Sequence, residues 1–275
     1  MKPRSPARRG KPKVRGSRRV TIHPTAVVHP GAEIGPGCEV GPYCVVGPKV
    51  VLGAGCKLHS HVVLDGVTRL GAENEVFPFA SIGLQTQDLK WKGGVTRTEI
   101  GERNTFREYV TIHSATGDGE ATVVGSDNHI LAYCHLAHNV VLGNHIIMSN
   151  VATLAGHVLV EDYAVVGGLA AVHQFCRIGR MSIIGGCSKV VQDVPPFMLA
   201  DGNPAQTRTI NKVGLERNGV SAKAQVALRQ AFKLLFRGGL TIPNALAQIE
   251  RDLPSLPELE HLVNFVRCSE RGISK

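Results

Sequence analysis

Apolar residues recur every sixth position from Ile22 to Val190. The phase runs Ile22, Val28, Ile34, Val40, Val46, Leu52, Leu58, Leu64, Leu70, Val76, Ile82 and resumes from Ile100 through Phe106, Ile112, Val124, Ile130, Leu136 and on to Val190. Of 29 such positions 26 are apolar, where average usage gives about 13. The exceptions, Asp88, Gly94 and Asp118, fall in two segments that read as insertions. A period of six fits neither a helix nor a half-buried strand. It is the signature of a parallel β-helix of short strands and turns.

Four residues after each large apolar residue stands a smaller one, among them Ala26, Cys38, Cys44, Cys56, Ala80, Cys134, Ala152, Ala164 and Cys176. One large and one small residue per hexapeptide suit a narrow interior where three faces meet. Gly-Pro pairs between them (Gly35-Pro36, Gly41-Pro42, Gly47-Pro48) supply the turns. Three hexapeptides make a coil of 18 residues, stacked at about 4.8 Å. The period leaves the hand open. The fold class is therefore all-β, with residues 20–200 in the β-helix.

Beyond the solenoid the period is lost, and residues 201–275 form a C-terminal α-helical domain. Ser221 caps a run carrying Val226, Phe232 and Leu235 that ends at Gly238-Gly239. A second helix starts near Thr241-Pro243, and a third spans Pro257 to Cys268. Such an appendage covers the last coil, as solenoid ends require.

The formal charge of +9 resides in residues 1–19, which hold nine Lys/Arg and no acid; the remainder balances at 22 against 22. This segment reads as a disordered basic tail without the apolar run of a secretory signal. No run of 18 apolar residues predicts a transmembrane segment, and nothing points to nucleic acid. Five of seven cysteines take the small interior position and no CxxC pair occurs, which fits a reducing, cytoplasmic setting without a zinc ribbon.

Coil arithmetic gathers the candidate chemistry. At a spacing of 18, His138, Gly156 and Gln174 form one column; Asn139, His157 and Phe175 the next; Ala137, Ala155 and His173 the one before. His138, His157, His173 and Gln174 thus crowd one corner on three successive coils, none on an interior phase. An imidazole there serves either as a general base, because it titrates near neutrality, or as a metal ligand.

The motifs His135-Leu136-Ala137-His138, Leu154-Ala155-Gly156-His157, Val172-His173-Gln174-Phe175, Gln87-Asp88-Leu89-Lys90, Gly185-Gly186-Cys187-Ser188 and Asp193-Val194-Pro195-Pro196 resemble those of the UDP-N-acetylglucosamine 3-O-acyltransferases. These are hexapeptide-repeat enzymes that open lipid A biosynthesis, and the resemblance extends over nearly all the chain after residue 20. It implies a left-handed helix and a cytoplasmic homotrimer with clefts between subunits. It also implies transfer of an (R)-3-hydroxyacyl chain from acyl carrier protein to the 3-hydroxyl of UDP-N-acetylglucosamine. No cofactor or metal is implied, the acyl group arriving on the carrier's 4'-phosphopantetheine. By the same resemblance His138 is the general base and Gly156 the backbone oxyanion donor. Gln87, Asp88 and Lys90 meet substrate or carrier from a protruding loop. His135, His157, His173 and Gln174 line the cleft, Asn211 and Arg217 meet the nucleotide, and Gly186 sets acyl length, its missing side chain favouring a long chain. Gly186 lies two faces away from the histidine corner, so a groove containing both needs a second subunit.

The pattern departs from the family at three places: Asn139 stands for the usual Asp, Val213 for an acidic residue and Asn218 for a second Arg. Asn139 implies either a weaker base or another group in the role of the carboxylate; together the changes also fit a 3-amino sugar acceptor and an amide product. Competing readings are the related N-acyltransferase of the same pathway, which carries a large domain before its solenoid where only about 20 residues, nine of them basic, precede Ile22 here; a metal-dependent lyase of the γ-carbonic-anhydrase kind; and a non-catalytic scaffold.

Overall fold

The computed structural model describes residues 19–275; the basic tail expected over residues 1–19 lies, but for Arg19, outside them. The chain winds as a left-handed parallel β-helix with a helical domain at its C-terminal end. Strands of mostly two residues alternate among three sheets, so that each strand pairs with the one three places on in the chain. The first sheet runs from Thr21–Ile22, the second from Val27–Val28 and the third from Glu33–Ile34. Register confirms the coil of 18: Thr21 pairs with Glu39 and His135 with Thr153. Two coils are longer. Glu75 pairs with Thr105 and Thr105 with His129, spacings of 30 and 24. The extra residues are multiples of six, which is why the hydrophobic phase survives both insertions.

The on-phase residues fill the interior. Leu58, Ile82, Phe106, Ile112, Leu136 and Leu154 are fully buried, as are the interior cysteines. At about 25 cal/mol per Å² of apolar area, burial of this column is the main stabilising contribution. At one corner the small position changes character, and a ladder of buried asparagines replaces cysteine. Asn74 Oδ1 accepts from the backbone N–H (3.0 Å) and side-chain amide (2.9 Å) of Asn104. Asn104 Oδ1 in turn accepts from the Asn128 N–H at 2.9 Å. Each amide also donates to a turn carbonyl, Asn104 to Gly125 and Asn128 to Gly143, so buried polar atoms are paired as burial demands.

Two features recur in the turns. In the usual turn one residue, the second, leaves its N–H outside the backbone ladder, and Pro24, Pro30, Pro36, Pro42, Pro48 and Pro78 all occupy that position, since proline loses nothing where no bond is made. In most turns, though not at Thr25, Gly31 or Lys49, the third residue lies in the left-handed region, at φ 59° for Tyr43, 60° for Tyr109 and 60° for Asn139. On the corner after the first sheet these residues stack: Tyr43, His61, Phe79, Tyr109 and Tyr133 follow one another at centroid spacings of 4.7–5.0 Å, the coil repeat itself. Ring stacking offsets the backbone cost of that conformation.

The boundary expected at residue 200 is corrected. It falls inside the strand Met198–Gly202, which turns back antiparallel through Ala205–Ile210 and closes the first sheet. The helical part follows as α1 (Lys212–Arg217), α2 (Ala222–Phe236), α3 (Ile242–Asp252) and α4 (Pro257–Arg267). Ser221 caps α2 by accepting from the Ala224 N–H at 3.1 Å, as expected. Apolar faces of α2, α3 and α4 pack with Met181, Phe197 and Met198 into a second core over the last coil. The helix α1 has too little periodicity to stand out in the sequence; Asn211 starts it by accepting from the Gly214 N–H.

Candidate active site

The corner after the second sheet carries His138, His157, Gln174 and His173 on three consecutive coils, with both insertions growing from the coils before it. Gly156 lies over the His138 ring so closely that any Cβ there would overlap Cε1 and Nε2. The ring edge meets His157 at 5.2 Å between centroids, nearly perpendicular, and His157 stacks on Phe175 at 4.8 Å. The N–H of Gly156 occupies the turn position just described and, among the described residues, has no acceptor.

One side of the His138 ring is fixed. Nδ1 lies 3.0 Å from Asn139 Oδ1, which also accepts from the Thr116 N–H at 3.1 Å. The other nitrogen, Nε2, faces Asp88 Oδ2 at 3.7 Å, beyond hydrogen-bond range. Asp88 is carried by the first insertion, where Oδ1 accepts from the Lys90 N–H at 3.0 Å. That loop is tied to the second insertion through Thr86 and Thr116 hydroxyls at 2.9 Å and through the Val95 N–H to Asp118 Oδ1 at 2.7 Å. The three phase exceptions Asp88, Gly94 and Asp118 thus belong to one bonded outgrowth. Gln87 and Lys90 are exposed on it.

His135 projects from the second sheet beneath this corner, its Nδ1 2.8 Å from the Thr111 hydroxyl. Burial, then the neighbouring His113 and His138, push it down to about 4. Burial also lowers His113, with His138 adding to it, and burial lowers His157, again with His138. These three rings are neutral near pH 7. His173 Nδ1 lies 3.2 Å from the Gln174 carbonyl and 3.4 Å from an Arg271 guanidinium nitrogen.

The remaining candidates lie apart. Gly186 is exposed on the first corner, where a Cβ would meet only the Gly168 carbonyl. Asn211 is buried at the corner after the third sheet, its amide donating to the Met181 carbonyl at 2.9 Å while Oδ1 caps α1. Arg217 is exposed in the last turn of α1. One protomer therefore brings Gln87, Asp88, Lys90, His135, His138, Gly156, His157, His173 and Gln174 together, but not Gly186, Asn211 or Arg217.

Three neighbours of the site were not among the sequence candidates: His113, Arg271 and Glu120. Glu120 Oε2 accepts from the Asn139 amide at 2.7 Å and from the Gly117 N–H at 2.9 Å. It stands 18 residues before His138, so coil arithmetic extended through the second insertion would have found it. Among the described residues no group of three His, Cys, Asp or Glu side chains has a metal-holding arrangement within the chain.

The family described as UDP-N-acetylglucosamine O-acyltransferase, domain 2, matches residues 193–274, and the bacterial transferase hexapeptide family matches residues 18–48 and 32–66. The acyl-[acyl-carrier-protein]–UDP-N-acetylglucosamine O-acyltransferase of Thermodesulfovibrio yellowstonii is 48% identical over 224 residues, 81% of this chain and 87% of that one. The structure of LpxA from Acinetobacter baumannii superposes with a TM-score of 0.88 at 43% identity, covering 92% of this chain and 99% of that one. That of a UDP-N-acetylglucosamine acyltransferase from Bacteroides fragilis gives 0.90 at 36% identity, covering 93% and 100%.

Proposed function

The chain belongs to the UDP-N-acetylglucosamine O-acyltransferase family, and from that premise we propose that its histidine corner is where the sugar hydroxyl is deprotonated. The protein is an acyltransferase that moves an (R)-3-hydroxyacyl chain from acyl carrier protein to the 3-hydroxyl of UDP-N-acetylglucosamine, the first step of lipid A biosynthesis. The observation that carries the catalytic assignment is the contact of the His138 ring with Gly156. It sets a free imidazole nitrogen beside a free backbone N–H.

With Nδ1 bonded to Asn139, Nε2 holds the lone pair and takes the proton of the 3-hydroxyl. The sugar oxygen attacks the thioester carbonyl carbon, and its electrons move to the carbonyl oxygen. The Gly156 N–H donates to that oxyanion, a contribution of about 3–4 kcal/mol to lowering the barrier. Collapse breaks the carbon–sulfur bond, and the proton on Nε2 passes to the pantetheine thiolate as it leaves. No acyl-enzyme forms. Asp88 and Gln87 hold the sugar and acyl groups, His135, His157, His173 and Gln174 line the cleft, and Lys90 faces the acidic carrier protein. The 4'-phosphopantetheine arrives as part of the substrate, and no resident cofactor or metal takes part.

The active form is a homotrimer. Gly186 on the first corner and Arg217 on α1, with Asn211 ordering that helix, reach a neighbour's histidine corner only across a subunit boundary. The outer row of the second sheet runs Val27, Val45, Val63, Ser81, Thr111, His135, Thr153 and Ala171 and is free of charged side chains until Lys189 on its last strand, and Val27 is 65% exposed in the lone protomer, as suits a face that packs on a copy of itself. The reaction belongs to the cytoplasm: all seven cysteines are free, and among the described residues no helix is long and apolar enough to cross a membrane.

Incubation with UDP-N-acetylglucosamine and a series of hydroxyacyl carrier proteins, with products identified by mass, tests this reading. A mono-O-acylated sugar nucleotide is expected, abolished by His138→Ala in a protein that stays folded and trimeric. Acylation only of a UDP-3-amino sugar, or turnover unimpaired in His138→Ala, would overturn it.

A further inference from the structure

We propose that Glu120 acts through the Asn139 amide as a positioning residue for His138, supplying both the anchor and the negative charge that a carboxylate at 139 would otherwise give. The inference rests on the reading of His138 as the base. Its basis is a hydrogen-bond chain whose polarity is fixed at both ends. A backbone N–H can only donate, so the Asn139 atom facing Thr116 at 3.1 Å is the oxygen. An ionised carboxylate can only accept, so the atom facing Glu120 at 2.7 Å is the nitrogen. The oxygen that meets His138 Nδ1 at 3.0 Å is thus an acceptor, and Nδ1 must carry the hydrogen. Nε2 is left unprotonated toward Asp88 and Gly156.

Glu120 is itself held, by the Gly117 N–H on the same oxygen. Its bond from Asn139, then that from Gly117, keep its carboxyl below the ordinary range, with His157 and His138 adding to the effect, so it stays ionised near neutral pH. The other charged or titratable groups facing His138 are Asp88 and Lys90 on the first insertion, His157 on the following coil, His135 on the strand that leads into the same turn, and His113 on the coil before. A negative charge on the far side of the amide strengthens Oδ1 as an acceptor and favours the imidazolium formed during transfer. The arrangement also accounts for asparagine at 139. An aspartate would press its carboxylate against Glu120 at hydrogen-bond distance, and two carboxylates so placed cannot both ionise.

The test uses the full chain with UDP-N-acetylglucosamine and a hydroxyacyl carrier protein. It compares kcat and KM against pH for wild type, Glu120→Gln, Glu120→Ala, Asn139→Asp and the double variant Glu120→Gln/Asn139→Asp. Nitrogen-15 NMR of the His138 ring, assigned with His138→Gln, reports the tautomer. Glu120→Gln removes the charge and keeps an acceptor, so the ascending limb should move about 0.5 pH unit lower, with KM for the sugar nucleotide unchanged. Glu120→Ala removes the anchor, so the ring should lose its single tautomer and kcat should fall about tenfold. Asn139→Asp alone should lose about a hundredfold and the double variant should recover to within about threefold of wild type, a coupling that separate sites do not show. Unchanged pH limb and tautomer in both Glu120 variants, or a double variant no better than Asn139→Asp, would overturn the proposal. An inactive wild type would refute the functional reading instead, and the tautomer measurement would still decide the role of Glu120.

Discussion

Oδ2 of Asp88 stands 3.7 Å from Nε2 of His138, a separation too wide for a direct hydrogen bond and suited to a hydroxyl that touches both. Among the described residues Asp88 otherwise bonds only within its own loop, to the Lys90 and Trp91 N–H groups and through its own N–H to Thr86. Asp88→Ala should therefore lower kcat/KM by about a hundredfold while thermal melting stays within a degree or two of wild type. Steady-state kinetics beside a melting curve checks both halves.

Gly156→Ala should be more damaging than its single methyl suggests. The new Cβ overlaps the His138 ring, and the backbone around it is pinned by the His157 N–H to the His138 carbonyl at 3.1 Å, so the ring must move. The N–H itself is retained. A fall in kcat of about 10²–10³ with an intact fold is expected; a variant with near-normal turnover would show that ring and N–H do not act together.

The buried imidazoles make the fold sensitive to acid. His135 is held down to about 4 by burial, then by His113 and His138, against an ordinary value near 6.5. Between those limits the unfolded chain binds a proton that the folded chain refuses, so stability rises with pH through the window and is lost on acidification from about 6.5 to 4. The slope reaches at most about 1.4 kcal/mol per pH unit for this one proton, less what solvent screening removes at a ring that is not fully enclosed. His113 and His157 are lowered too and act in the same direction. Denaturant midpoints measured from pH 4 to 8 should show this slope in wild type and a shallower one in His135→Gln.

Asn104 offers a stability test away from the site. Loss of its side chain leaves the Asn128 N–H and the Gly125 carbonyl without partners in the interior and takes one of two donors from Asn74 Oδ1. Asn104→Ala should cost about 2–4 kcal/mol, read from chemical denaturation, with kcat little changed.

The period of six was enough to read the solenoid, its triangular coil and the meeting of His138, Gly156, His157, His173 and Gln174, because a stacked coil converts sequence spacing directly into position. Asparagines 74, 104 and 128 escaped notice because an interior polar ladder is invisible to a search for small apolar residues. The hairpin of Met198–Gly202 and Ala205–Ile210 escaped because antiparallel closure ends the repeat. Glu120 sat in a segment set aside as an insertion, although its distance from His138 is one coil. Arg271 reaches His173 from 98 residues away, a fold-back of the helical domain that no local pattern encodes.

The proline-bearing position of the turn has a wider meaning. Every winding of this scaffold is made with an outward amide that the backbone ladder leaves unclaimed, and in the early windings a pyrrolidine ring covers it. At the catalytic edge the same place is held by His138, Gly156 and Gln174, and the amide is bare. An anion-steadying group did not have to be assembled here; omitting one ring from an already repeated corner was sufficient, and any edge of such a prism could be opened in the same manner.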